Sequence, residues 1–115
     1  MLSESQIREF MDIANSLYLQ CLVEIHDEHE LEIAVNCGAE VIGINNRNLH
    51  SFKTSISVTE NLAPKIPGNA IIVSESGIAT KNDAERVFRA GAAAILVGES
   101  LVTAPDPGQT LRSLL

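Results

Sequence analysis

The sequence predicts one α/β domain built on a parallel sheet, and three observations support this class. Short apolar runs alternate with amphipathic segments of helical length along all 115 residues. Most of the helical segments begin at a capping residue, and two of them end at glycine. The segment CGAEVIGIN (37–45) is echoed by AGAAAILVG (90–98), so that every second unit is alike. Strands joined through helices of this length form right-handed crossovers and lie parallel.

The first helix is expected over residues 3–19, where apolar side chains recur at helical spacing. Ser3, with a glutamine three residues on, has the pattern of a capping box. The run CLVEI (21–25) follows as a strand that we expect to be buried on both faces. The second helix begins after Asp27, which also has an acidic residue three positions on, and ends at Gly38.

The second strand is expected at EVIGIN (40–45). After a loop, Ser57 is expected to cap a third helix, which Pro64 limits because proline cannot continue a helix. The third strand is expected at AIIVSES (70–76).

Thr80 is expected to cap the fourth helix, which Gly91 ends. The fourth strand is expected at AAILVG (93–98), followed by a single helical turn at LVTA (101–104). Asp106, with proline at the next position, starts the last helix. We see no linker, so residues 1–115 are expected to form a single domain.

Composition excludes several classes of function. The formal net charge is −7 and basic residues are scattered, which argues against a nucleic-acid partner. The two cysteines, Cys21 and Cys37, lack the CxxC spacing, and no apolar stretch reaches the roughly 20 residues needed to cross a bilayer. The chain also opens without a signal region. We expect a cytoplasmic protein with no membrane partner.

Polar residues gather where the predicted strands end. In parallel α/β folds this edge of the sheet holds the ligand. The four ends carry Glu24, then Asn45 with Arg47, then Ser74, Glu75, Ser76 and Gly77, and finally Gly98, Glu99 and Ser100. The carboxyl ends of the strands are therefore the predicted site.

The last two strand ends have the chemistry of a phosphate site. Small residues, hydroxyls and backbone N–H groups occur together at Ser76–Gly77 and at Gly98–Ser100. Barrels of eight strands place phosphate on the loops after strands seven and eight, which would make this chain the second half of such a barrel. The same small residues are also typical of tight turns without any ligand, and that alternative stays open.

The other candidates each have a structural alternative. Glu24 at a strand end suits general acid or base catalysis, but it is also the type of residue that forms helix caps or ion pairs. Arg47 suits capture of a carboxylate, although in isolation a surface ion pair explains it better. Asn45 points inward and needs partners. His26 and His29 lie at a helix start, where capping and solvation explain them, and we predict no metal.

Two long segments carry a resemblance to a known family. LVEIHDEHELEIAVNCGAEVIGINNRNL (22–49) and VSESGIATKNDAERVFRAGAAAILVGESL (73–101) closely resemble the carboxyl-terminal half of the indole-3-glycerol-phosphate synthases. The resemblance runs from about residue 3 to the end of the chain. It implies an α/β fold that is half of a (β/α)8 TIM barrel, with four parallel strands alternating with helices and a helix before them.

The resemblance also implies an activity and a set of site residues. The family cyclises, decarboxylates and dehydrates carboxyphenylamino-deoxyribulose phosphate, a phosphorylated small molecule, without a cofactor. The implied catalytic residues are Glu24, Asn45 and Glu75, with Arg47 and Ser76 binding substrate and Gly77, Gly98, Glu99 and Ser100 binding phosphate. Since the side chain of Glu99 repels phosphate, its backbone N–H must act there.

The chain departs from the family pattern in its lysines. The family's lysines lie on its first four strands, and no strand of this chain ends in a lysine. We therefore expect little or no synthase activity from the chain alone. A half barrel also leaves two strand edges and an apolar face uncovered, which predicts a homo-oligomer or a complementing amino-terminal half. The alternative function is a non-catalytic, self-associating half barrel with vestigial phosphate binding.

Overall fold

The computed structural model describes residues 1–115 and contains one parallel sheet in chain order. Its strands are β1 (Leu22–Ile25), β2 (Val41–Asn45), β3 (Ile71–Glu75) and β4 (Ala94–Leu96). The helices are α1 (Glu4–Ser16), α2 (Glu28–Asn36), α3 (Ser57–Leu62), α4 (Lys81–Ala90), α5 (Glu99–Val102) and α6 (Pro107–Leu114), with a 3₁₀ turn at Ala63–Lys65. At least one helix separates each pair of neighbouring strands, so the parallel α/β prediction is confirmed.

Most of the predicted helix starts are confirmed by a capping hydrogen bond. Side chains of Ser3, Asp27, Thr80 and Asp106 each accept from the backbone N–H three residues on. Ser57 is an exception, because α3 has no side-chain cap and the Ser57 hydroxyl pairs with that of Ser55 at 2.6 Å. The first helix also ends at Ser16, before its expected end at residue 19. Tyr18 follows with φ 56° and turns the chain.

One face of the sheet is covered and the other is open. Ile25, Ile42, Ile44 and Ile72 are buried with apolar residues of α2, α3 and α4, including Leu31, Ala34, Leu62 and Val87. Alternate residues point to the opposite face, and there Leu22, Ile71 and Leu96 are 45%, 52% and 56% exposed. The expectation that the first strand is buried on both faces is therefore wrong. We call the open side the inner face.

The first helix lies at the edge of the fold. It has no buried residue, and Phe10 and Ile13 remain about half exposed. Arg8 ties it to α2 by donating to the carbonyl of Asn36 at 2.6 Å. None of the six helices combines the length and apolar character that crossing a membrane requires.

Candidate active site

The sheet register brings three predicted site residues onto the inner face. Glu24 of β1 lies opposite Gly43 of β2, and Asn45 of β2 lies opposite Glu75 of β3. Because paired residues of parallel strands point to the same side, Glu24, Asn45 and Glu75 share the open face at the carboxyl ends of their strands.

Asn45 connects Glu24 to the neighbouring loop. Its Nδ2 donates to Glu24 Oε1 at 3.0 Å, and its Oδ1 accepts from the backbone N–H of Arg47 at 3.0 Å. Both ends of the amide are thus used, as an inward-pointing asparagine requires. The amide fixes the Glu24 carboxylate relative to the loop that follows β2.

Glu75 is the most unusual group of the site. Only 4% of it is exposed, and its Oε2 is buried without a hydrogen-bond partner. A Cβ built on Gly43 would lie 3.0 Å from the Glu75 Cδ, so the carboxylate occupies the space that the missing side chain leaves. Burial, followed by the charge of nearby Glu24, raises the pKa of Glu75 to about 7. A carboxyl group with this pKa can act as an acid or a base near neutral pH.

A groove of about 700 Å³ runs from β2 to β4 beside Glu75. Its volume is in the range of small-molecule sites. Arg47 and Glu99 pair across it through Arg47 Nη2 and Glu99 Oε2. The Ser100 hydroxyl lies in the same groove and donates to the carbonyl of Ile78 at 2.9 Å, so this hydroxyl is already engaged.

Backbone N–H groups line the other end of the groove. Ser76 and Gly77 both have positive φ, 67° and 73°, and turn the chain sharply after β3. The N–H groups of Gly77, Gly98, Glu99 and Ser100 donate no hydrogen bond within the chain. Free donors from two loops suit an anion. That these four residues bind phosphate stays a prediction.

A buried asparagine that sequence reasoning missed supports this loop. Asn46 is 1% exposed, and its Nδ2 donates to the Ser74 hydroxyl at 3.1 Å and the Ser76 carbonyl at 3.0 Å. Its Oδ1 accepts from the backbone N–H and the hydroxyl of Thr59 at 3.1 and 2.9 Å. The sequence signal for this role is the position of Asn46 directly after Asn45. Alternation places it on the covered side of the sheet, where a buried amide needs several partners.

His26 has partners that the helix-start interpretation did not predict. The cap of α2 is Asp27, and His26 is partly buried between two glutamates. Its Nδ1 lies 3.0 Å from Glu30 Oε2, and its Nε2 lies 3.3 Å from Glu24 Oε1. Capping and solvation therefore do not account for His26.

Comparison with known proteins identifies close relatives of the whole chain. The family model described as "Indole-3-glycerol phosphate synthase" matches residues 1–114. The indole-3-glycerol phosphate synthase of Dehalococcoides mccartyi is 46% identical over 115 residues, which is 100% of this chain and 44% of the relative. That of Shouchella clausii is 49% identical over 110 residues, or 95% of this chain and 43% of the relative. The chain thus spans less than half the length of these curated relatives.

Solved structures with low sequence identity show the fold. Thiamine phosphate pyrophosphorylase from Pyrococcus furiosus aligns with a TM-score of 0.74 at 19% identity, covering 94% of this chain and 52% of that one. A mandelate oxidase aligns with a TM-score of 0.71 at 20% identity, covering 98% and 38%. The sheet is not closed, and the predicted half of a (β/α)8 barrel is confirmed. From the family match and these relatives, the chain belongs to the indole-3-glycerol phosphate synthase family.

Proposed function

We propose that the chain forms the carboxyl-terminal half of an indole-3-glycerol phosphate synthase active site. In that reaction carboxyphenylamino-deoxyribulose phosphate undergoes ring closure, decarboxylation and dehydration. The observation that carries the proposal is the arrangement of Glu24, Asn45 and Glu75 on one open face, with the pKa of Glu75 raised to about 7. Membership of the family supports the choice of substrate.

The two carboxyl groups suit the proton transfers that this reaction needs. Dehydration requires an acid for the leaving hydroxyl and a base for the ring proton. Glu75 is buried and its pKa is raised to about 7, whereas Glu24 accepts from Asn45 and is nearly half exposed. Two carboxyl groups in different environments can divide the acid and base roles. We assign the acid role to Glu75 and the base role to Glu24.

The groove suits the charged ends of the substrate. The Arg47 guanidinium can hold the aryl carboxylate once it leaves Glu99, because the two side chains are exposed enough to separate. Ser76 lies beside it in the groove. The phosphate would accept from the free N–H groups of Gly77, Gly98, Glu99 and Ser100. Glu99 contributes only its backbone, since its carboxylate repels the anion.

We further propose that activity requires an amino-terminal half barrel. None of the three lysines, Lys53, Lys65 and Lys81, lies at a strand end, so the four strands offer no lysine as a proton donor for ring closure. A positioned general acid contributes about 10² to 10⁴ in rate. A partner carrying cations would also complement the Glu24 and Glu75 carboxyl groups on the inner face.

A complementation assay tests this proposal. The chain is mixed with the amino-terminal half of the Dehalococcoides mccartyi relative, and formation of indole-3-glycerol phosphate is followed by fluorescence. We expect no product from either half alone and product from the mixture. Glu75→Gln should lower the rate at least about 100-fold, whereas the exposed Glu85→Gln should leave it unchanged. If a mixture shown to associate makes no product, the proposal is wrong.

A second candidate function is a self-associating structural module. The exposure of Leu22, Ile71 and Leu96 on the inner face favours it, since exposed apolar side chains on one face favour association. In a second copy the same face would cover these side chains. Light scattering at micromolar concentration should then give the mass of a dimer or larger species, and Ile71→Lys should shift it toward a monomer. A wild-type monomer would exclude this candidate.

A further inference from the structure

The imidazole of His26 is held in one orientation by Glu30. The Oε2 atom of Glu30 accepts the backbone N–H of His26 at 2.6 Å and lies 3.0 Å from its ring Nδ1. The Glu30 side chain is only 15% exposed, so water competes weakly for these bonds. A carboxylate can only accept here, and Nδ1 must therefore carry the proton that it donates to Glu30.

The other ring nitrogen faces the Glu24 carboxyl group. His26 Nε2 is shielded from solvent and makes no hydrogen bond, and Glu24 Oε1 lies 3.3 Å away. A buried polar atom without a partner is destabilising. The two atoms are not aligned for a hydrogen bond here, and a small rotation of either side chain would let them share a proton. The three side chains thus form a continuous line from the inner face into the fold: Glu24, His26 and Glu30.

We propose that His26, oriented by Glu30, is a positioning residue that exchanges a proton with Glu24, and this inference rests on the proposed role of Glu24 as a base. When Glu24 has taken a proton from substrate, its O–H bond breaks and a bond forms between that proton and His26 Nε2. The products are a Glu24 carboxylate and an imidazolium that keeps its Nδ1–H on Glu30. The reverse transfer restores the starting state, and no other reactant is consumed.

The placement of the pair explains why such an exchange is useful. Substrate bound on the inner face would cover Glu24 and keep water from removing its proton. His26 also lines a cavity of about 500 Å³ beside the loop after β2, which shares Arg47 and Thr54 with the groove. The charged or titratable groups that line this cavity with His26 are those of Met1 at the amino terminus, Asp27 and Glu30 on the α2 side, and Arg47, His50 and Lys53 on the loop after β2. Because His26 Nε2 is shielded from solvent, a proton taken from Glu24 stays with this pair until it is returned.

The orientation of His26 is tested by ¹⁵N NMR of the isolated, histidine-labelled chain. We expect the neutral ring to carry its proton on Nδ1, with Nε2 unprotonated. Glu30→Ala should release the ring and produce the Nε2–H tautomer that free histidine prefers. Glu32→Ala, an exposed site on the same helix, is the matched control and should behave like wild type. An Nε2–H tautomer in the wild-type chain overturns the proposal.

The contact with Glu24 is tested in the same samples. When the ring carries both protons, the Nε2–H of His26 should exchange slowly with water in the wild-type chain, and Glu24→Ala should accelerate this exchange at least about tenfold. Rapid exchange in the wild-type chain contradicts the proposal. Neither NMR result depends on catalysis, so both test the role of His26 even if the complementation assay gives no synthase product.

Where the complementation assay gives product, kinetics provide a third test. His26→Gln should lower kcat about 10- to 100-fold and leave KM within about twofold, because substrate does not touch His26. Its pH–rate profile should also change shape. A merely structural role would instead reduce the amount of folded protein without changing the profile. An unchanged kcat overturns the proposal.

Discussion

Replacing Asn46 with alanine is expected to lower the free energy of unfolding by about 3–4 kcal/mol. The substitution removes four hydrogen bonds inside the fold. It leaves the N–H of Thr59 and the carbonyl of Ser76 buried or partly buried without these partners, and each such group is destabilising by about 1–3 kcal/mol. Since a domain is stable by only about 5–15 kcal/mol in total, this single change removes a large share.

Urea unfolding followed by circular dichroism measures the effect. The matched control is Asn61→Ala, which removes an exposed asparagine from α3 and should change stability by less than about 0.5 kcal/mol. Asn46→Ala should also loosen the Ser76–Gly77 turn, because Asn46 Nδ2 is bonded to the Ser76 carbonyl. A loss of less than about 1 kcal/mol would show that the network does not hold this loop.

The sequence predicts much of this fold because many of its signals are local. A cap depends on one side chain and the backbone three residues on, so Ser3, Asp27, Thr80 and Asp106 could be read directly. The residues at the strand ends could be listed for a similar reason, since a buried strand is an apolar run with a visible end. The prediction that Ser57 caps the third helix is wrong because its hydroxyl pairs with that of Ser55, and sequence spacing does not reveal this competing partner.

The rest of the site depends on register between strands, which the sequence does not encode at any single position. The space above Gly43 matters only because Glu75, 32 positions later, lies two residues beyond Val73, the residue of the adjacent strand that pairs with Gly43. Asn45 and Asn46 have the same side chain, but alternation sends one to the inner face and the other into the core. His26 similarly acquires a role only when Glu24 and Glu30 converge on it.

The second large expected effect is a fall in stability as pH rises. The pKa of Glu75 is about 7 in the folded chain and about 4.5 when the side chain is free. Between these values the folded state holds a proton that the unfolded state has lost, so the free energy of unfolding decreases with increasing pH. The full linkage value is roughly 3 kcal/mol, and we expect about 2 kcal/mol because the open groove screens the charge. The contribution is fully present below pH 4.5 and is lost above pH 7.

Glu75→Gln isolates this contribution from those of other groups. The variant should be about 2 kcal/mol more stable than wild type at pH 8 and nearly equal to it at pH 4, as measured by urea unfolding at each pH. Glu85→Gln, an exposed site on α4, should match wild type at both values. Equal stability of Glu75→Gln and wild type at pH 8 would mean that Glu75 is not strained by its burial.

Gly43→Ala tests the cause of the shift without removing the carboxyl group. The added methyl group lies 3.0 Å from Glu75 Cδ and forces the carboxylate toward water. The pKa of Glu75, followed by ¹³C NMR, should then fall toward 4.5, while Gly68→Ala, where a Cβ meets nothing within 4 Å, should leave it near 7. An unchanged pKa in Gly43→Ala would assign the shift to something other than the pocket over Gly43.

If the pKa of Glu75 falls in Gly43→Ala, the wild-type chain keeps a glycine in the middle of β2 and accepts a destabilising buried acid at neutral pH. Such a combination is expected where the acid is retained for its chemistry, because packing alone would favour replacing both residues.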